Sequence, residues 1–179
     1  MLETARVYVG TTTAFTSNIA LLKIRQFSLA VIDEASQILE PHLIGLLSAC
    51  EGEVPAIRKI VMIGDHKQLP AVVQQTQAQS AVRETVLRDI LLTDCRLSLF
   101  ERLLKRYRDD EQVTYMLCRQ GRMHHDIARF PNELFYNNKL AEVPLPHQIA
   151  DLPHSKPEGE GIENVLLTRR FAFVATPPP

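Results

Sequence analysis

The chain has 179 residues, 45% of them hydrophobic and 23% charged, a balance that fits a globular protein and excludes a disordered or fibrous one. Its 20 basic and 21 acidic residues leave a formal net charge of -1, so any nucleic-acid contact must come from a local patch and not from a basic surface as a whole. The length suits one full domain or parts of two.

Cys50, Cys95 and Cys118 are odd in number and far apart, without a C-x-x-C pair or metal-type spacing. They read as reduced, mostly buried thiols of a cytoplasmic protein. No stretch reaches the ~20 apolar residues of a bilayer span, and Met1-Leu2-Glu3-Thr4 opens no signal peptide, so no membrane partner is expected.

In chain order, Arg6 to Gly10 is β-branched and aromatic and predicts a strand, with Thr11-Thr12-Thr13 as a polar turn behind it. Ser28 to Ile32 predicts a second strand, apolar enough for a parallel sheet covered on both faces. Glu40 to Leu47 predicts a helix with Pro41 near its start, and Ile60 to Ile63 a strand one crossover later, which makes a β-α-β unit. Between Thr76 and Leu92, Val82, Val86 and Ile90 fall four residues apart, with Leu87 and Leu91 beside them, and predict one amphipathic helix. Ser98 to Tyr107 predicts another, with Ser98 as N-cap and Glu101 three residues on.

The charged run from Arg106 to Glu111 breaks the pattern and marks a domain boundary, giving domains at 1–110 and 111–179. Val113 to Leu117 then predicts the first strand of a second sheet. Met123, Ile127 and Phe130 share a helical face that should end at Pro131. Four prolines between Pro144 and Gly161 predict an extended loop, and Phe171 to Ala175 a last strand. Exposed edges of a partial sheet predict self-association.

The chemistry concentrates at two strand ends. Leu29 to Ile32 runs into Asp33-Glu34, and Ile60 to Ile63 runs into Gly64-Asp65-His66-Lys67-Gln68-Leu69-Pro70. Open α/β sheets bind ligands at the carboxyl ends of their strands, and a phosphoryl-hydrolysis site needs a hard oxygen for Mg²⁺ and a group to orient the attacking water. Asp33 suits the first need, through water, and Glu34 the second. Gly64 allows close backbone approach, and Gln68 is a neutral donor for a terminal phosphate oxygen. Taken singly, each segment also reads as a plain loop, Glu34 as a helix cap and residues 64–70 as a β-turn; their order along the chain favours the site.

Val31-Ile32-Asp33-Glu34-Ala35-Ser36-Gln37, Gly64 to Pro70, Ser98 to Leu103, and Gln120-Gly121-Arg122-Met123-His124 with Ile127, Phe130-Pro131 and Leu134-Phe135-Tyr136 together resemble the ordered motifs of superfamily 1B helicases, in the nonsense-mediated-decay and Okazaki-processing branch. The resemblance runs over residues 6–143 and covers motifs Ic, II, III and IV. It implies an α/β fold: a partial P-loop NTPase RecA-like parallel sheet with flanking helices, followed by the start of a second RecA-like domain.

It also implies ATP and Mg²⁺ as cofactors and single-stranded nucleic acid, DNA or RNA, as partner. Asp33 and Glu34 resemble the Walker B pair, Gln68 the γ-phosphate sensor with Asp65 as support, and Arg122 the arginine that reaches the γ-phosphate, with Gln120 beside it at the nucleotide. Thr11 and Thr12 resemble the segment that touches the nucleic-acid backbone, and read almost as well as a structural turn. The family carries an aromatic residue where Gly121 stands and proline where His125 stands. The G-x-x-x-x-G-K-[ST] loop of Walker A and motifs V and VI are absent, so the expectation is a piece of a longer helicase, inactive as an isolated chain.

A catalytically inactive helicase-like remnant that serves as an interaction module is the alternative. Arg102, Lys105, Arg106 and Arg108 could line a nucleic-acid path or form a solvated helix face. Adjacent histidines on a helix point apart, so His124-His125 is not expected to hold zinc.

Overall fold

The computed structural model describes residues 4–108, 110–152 and 161–173, and the chain forms two units, Met1–Thr114 and Tyr115–Pro179. Each holds a small parallel strand pair with helices beside it, a mixed α/β arrangement.

The first unit opens extended at residues 5–10, without the strand predicted there. A strand needs a neighbouring strand to ladder with, and no strand among the described residues pairs with this segment; Val9 stays 92% exposed. Tyr8 fixes it instead, meeting Phe27 edge-on with ring centroids 5.2 Å apart. The turn expected at Thr11–Thr13 is the start of helix α1 (Thr12–Ser17). Thr11 is its N-cap, extended, with Oγ1 accepting from the Ala14 amide at 3.1 Å. A 3-10 turn at Ile19–Lys23 comes next, and its Leu22 packs with Leu46, Ala49 and Ala56 into a small core flanked by Phe15, Ile19 and Phe27.

Strand β1 (Ala30–Ile32) leads through a 3-10 turn at Ala35–Gln37 into α2 (Glu40–Leu47), with Pro41 in its first turn, where a missing N–H costs nothing. A hairpin of β2 (Cys50–Glu51) and β3 (Val54–Pro55) fills the crossover before β4 (Ile60–Met62). β4 lies parallel to β1, Ala30 opposite Ile60 and Ile32 opposite Met62, which is the β-α-β unit that the spacing predicts. The expected cover on both faces is not found. Val31 and Val61 remain 59% and 46% exposed, because a two-stranded pair has one more face than the helices among the described residues cover.

Residues 76–92 are not one helix. α3 (Gln77–Ser80) begins in a capping box made by Thr76 and Gln79, and α4 (Thr85–Asp89) stands apart from it. Between them Ala81 turns extended and bridges to Asp94, while the Val82 amide donates to Thr93 O at 3.0 Å and Val82 becomes buried. Val86 and Ile90 find nothing to pack on and stay exposed, so local capping and the bridge outweigh the stripe. α5 (Leu99–Arg106) forms as predicted, with Ser98 Oγ accepting from the Glu101 amide at 3.1 Å.

Val113 to Leu117 does not form the strand predicted for it; Tyr115 and Leu117 are exposed and unpaired as a ladder. In the second unit β5 (Arg119–Gln120) comes first, then α6 (His125–Phe135), then β6 (Ala141–Glu142) parallel to β5. α6 runs through Pro131 instead of ending there. A proline interior to a helix loses one amide bond, and here the end is set further along: the Tyr136 amide donates to Asn132 O, and the Asn132 side chain exchanges two bonds with the Leu140 backbone.

The loop predicted over 144–161 contains α7 (Pro146–Ile149), and its residues 153–160 lie outside the described residues. Beyond it lies α8 (Ile162–Thr168). Phe171–Phe173 is not a strand; Phe171 lies with its ring centroid 5.2 Å from that of Phe130, and the rest of that predicted strand, Val174 and Ala175, is outside the described residues. The thiols are not mostly buried as expected: Cys50 and Cys95 are exposed and Cys118 is half-buried. No helix among the described residues is long and apolar enough to cross a membrane.

Candidate active site

Register places the two acidic segments together. Ile32 faces Met62 at the carboxyl ends of β1 and β4, and the ladder continues one step further: the Ile63 amide donates to Ile32 O and the Ala35 amide to Ile63 O, each at 2.8 Å. Asp33 and Glu34 therefore leave the sheet beside Gly64 and Asp65. Ala35 is fully buried under this junction.

Glu34 sits at φ 50°, ψ 35°, the left-handed region, which a side chain with a Cβ enters at a cost of roughly 1 kcal/mol or more. Two bonds hold it there. Its amide donates to Asp33 Oδ1 at 3.0 Å, and its carboxylate Oε2 accepts from Gln37 Nε2 at 3.2 Å. Both acids remain exposed to solvent, so the kink presents carboxylates outward at the strand edge.

The second loop is tied to the first through Ser36, whose Oγ accepts from the Asp65 amide at 3.1 Å. A Cβ on Gly64 would come within 2.8 Å of the Ser36 amide nitrogen, so only glycine lets the loops approach this closely. Asp65 then organises the rest of its own loop: Oδ1 accepts from the Lys67 amide at 2.9 Å and Oδ2 from Gln68 Nε2 at 3.0 Å. Asp33, Glu34, Asp65 and Gln68 are thus brought to one edge. Ser36 is the member that sequence reasoning missed; a small hydroxyl residue two positions after the acid pair was its only signal.

Gln120 and Arg122 belong to the second unit. Gln120 is committed to its own turn: Oε1 accepts from the amides of Arg122 and Met123 at 3.1 and 2.8 Å, and Nε2 donates to Met123 O at 3.0 Å. Gln148, fully buried, donates to Gln120 O and Met123 O and locks the turn from behind. A direct nucleotide contact by Gln120 would have to give up those bonds. The Arg122 guanidinium is exposed, and no hydrogen bond or ion pair engages it among the described residues.

The basic helix separates into two roles. Arg102 turns inward, its Nε 2.7 Å from Glu40 Oε2 and its NH2 2.5 Å from Oε1, and NH1 reaches Ile90 O at 2.9 Å, so it is not available to line a nucleic-acid path. Lys105 pairs with Glu101 one turn back at 2.9 Å on the solvated face. Elsewhere in this unit Arg96 forks onto Asp94 and holds that carboxyl well below the usual carboxylate range. Thr11 and Thr12 start α1, where Thr11 caps and Thr12 O accepts from Thr16 Oγ1 at 2.8 Å.

The two histidines do not point apart. His124 is the N-cap of α6, extended at ψ 149° and outside the helix proper, so its ring returns to lie 4.2 Å from that of His125, centroid to centroid.

Two family models, each described as an AAA domain, match residues 1–76 and 95–170. The chain is 36% identical over 140 residues to an ATP-dependent helicase of Methanocaldococcus jannaschii, covering 78% of this chain and 17% of that protein. It is 30% identical over 134 residues to the DNA replication ATP-dependent helicase/nuclease DNA2 of Gallus gallus, covering 74% and 11%. With the 3'-5' exoribonuclease HELZ2 of Homo sapiens it shares 34% identity over 128 residues, covering 71% and 4%. The chain belongs to the superfamily 1 helicase-like proteins, and it spans less than a fifth of the length of each of these relatives.

Proposed function

We propose that these residues serve an ATP-dependent helicase or translocase that, within a longer protein, hydrolyses ATP to move along single-stranded DNA or RNA. The observation that carries this reading is the shared edge of β1 and β4, where a strained Glu34, Asp33 and the Asp65–Gln68 pair converge. Bound ATP with Mg²⁺ would supply the phosphoanhydride and neutralise its charge. Asp33 fits a hydrated Mg²⁺, with one carboxylate oxygen held by the Glu34 amide and the other unengaged among the described residues.

Glu34, oriented by Gln37, takes the proton of the attacking water. Gln68, aimed by Asp65, senses the terminal phosphate. Gln120 shapes the turn that presents Arg122, whose guanidinium offsets charge on the transferring phosphoryl group. The Thr11 hydroxyl, accepting from Ala14, keeps its own O–H for a backbone phosphate. No glycine in the sequence precedes a lysine, so the phosphate cradle must come from outside these residues.

Phosphate release decides the matter. The 179-residue chain alone should give no more than its Glu34→Gln variant. A longer protein carrying it should hydrolyse ATP faster with single-stranded nucleic acid and lose about 10³-fold on Glu34→Gln or Arg122→Ala. Hydrolysis untouched by either substitution refutes the assignment, and nucleic-acid binding without any hydrolysis points to a non-catalytic interaction module. The open β1 and β4 face also supports self-association of the isolated chain, which a single monomeric species in sedimentation velocity at high concentration would refute.

A further inference from the structure

We propose that His124, His125 and Asp126 form a binding site for a divalent transition-metal ion of the zinc class. It lies at the start of α6, and none of the helicase motif roles uses it. Tautomers locate the lone pairs. His124 Nε2 lies 3.1 Å from Ala150 O, and His125 Nδ1 lies 3.2 Å from Gln148 O. A carbonyl only accepts, so both of these nitrogens carry hydrogen. The lone pairs then sit on His124 Nδ1 and His125 Nε2, and both face the Asp126 carboxylate.

His125 Nε2 is 3.0 Å from Asp126 Oδ1, and His124 Nδ1 is 3.5 Å from Asp126 Oδ2. One ligand atom from each residue can be chosen so that all three lie within 4.8 Å of one another. Three acceptors this close repel unless a cation sits among them. Two donors bound to one zinc at about 2.0–2.1 Å lie about 2.9–3.4 Å apart, between right-angle and tetrahedral geometry; the two His–Asp spacings are already close to this, and the three-atom set, now spanning up to 4.8 Å, has to draw in when the ion binds.

The outer contacts have the same pattern. Imidazoles that ligate metals donate their other N–H to a backbone carbonyl or carboxylate, which fixes ring and tautomer, and both rings here do so at the end of α7. The Asp126 amide shares the His124 Nδ1 lone pair at 3.2 Å, a long capping bond that a metal bond would replace. Arg129, the nearest cation along the helix, is tied to Glu133 at 2.8 Å. Two imidazoles and a carboxylate, with water completing the sphere, suit Zn²⁺ or Co²⁺. None of the three ligands carries a role in the ATPase reading, so the site is independent of it.

The test titrates the tag-free, metal-stripped 179-residue chain with Co²⁺ and then Zn²⁺. One equivalent of Co²⁺ should bind with visible ligand-field bands, Zn²⁺ should displace it, and Zn²⁺ should raise Tm. His125→Pro suits the first helical position and should leave the far-UV circular dichroism unchanged while weakening Co²⁺ at least about 10-fold. Asp126→Asn should weaken it similarly and guards against a folding artefact in the first variant. Three results overturn the proposal: no saturable binding, equal affinity in both variants, or sulfur-to-cobalt charge-transfer bands that put the ion on Cys50, Cys95 or Cys118. Imidazole ¹⁵N shifts of a protonated His125 that neither metal moves would also overturn it, since a proton alone would then fill the gap.

Discussion

The Arg102–Glu40 pair offers a quantitative check on how the first unit holds its acidic edge. The Glu40 side chain is 2% exposed and that of Arg102 11%, and the fork uses both carboxylate oxygens, with a third bond from Arg102 to Ile90 O. Around it the Glu40 amide donates to Leu97 O at 3.3 Å and Leu39 bridges Ser98, so α5 is fastened to the segment behind Glu34. Arg102→Met removes the two charge-assisted bonds to Glu40, of about 1.5–3 kcal/mol each, together with the bond to Ile90 O, and strands a buried carboxylate. The expected loss is about 3–5 kcal/mol, a large part of the ~5–15 kcal/mol that folds a domain. Glu40→Met should cost a similar amount by stranding the guanidinium. The double variant should recover most of the loss, because two apolar side chains desolvate at no charge penalty. Urea unfolding of the wild type, both single variants and the double variant reads the coupling directly. Single losses under about 1 kcal/mol, or a double variant equal to their sum, would mean that the pair is solvated and does not hold α5.

Gly64→Ala forces its Cβ toward the Ser36 amide and should destabilise by about 1–3 kcal/mol in the same assay, with Ser36→Ala in the background relieving little, since the closest clash is with backbone. Ser98→Ala removes the cap on α5 and should cost about 1 kcal/mol, while Ser98→Asp should keep most of it. For Asp94 the sign is set by its depressed folded-state pKa: the stabilisation is full above the unfolded value near 3.8 and is lost as pH falls below it toward the lower folded value. The urea midpoints of wild type and Asp94→Asn should therefore differ at neutral pH and converge in strong acid; a constant gap would assign the effect to packing. Gln148→Leu leaves the carbonyls of Gln120 and Met123 without their buried donor and should cost about 1–3 kcal/mol, read as a fall in Tm.

Much of the site was legible because it is written in short range. An apolar run ending in Asp33-Glu34, a second ending in Gly64-Asp65, and a connection long enough for a helix between them suffice for a β-α-β crossover, whose parallel sense comes from connectivity alone. Ser98 capping α5 and Pro41 opening α2 are equally local. Periodicity failed where it had no partner surface: the stripe of Val82, Val86 and Ile90 breaks, and the β-branched residues of 6–10 and 113–117 form no strand, because a ladder or an amphipathic face is stabilised by what lies against it. Pro131 reads as a stop, yet Asn132 and Leu140 close the helix later through contacts that no window around the proline contains.

What the sequence determined by itself is thus the set of chemical groups and the order of the strands that deliver them, since both depend on neighbours within a few residues. Only the tertiary structure decided that Ser36 ties the two loops, that Arg102 turns inward to Glu40, and that His124 folds back onto His125. Each of these is a contact whose partners are fixed by how segments pack or by one residue's ψ angle, and neither is a property of composition or spacing.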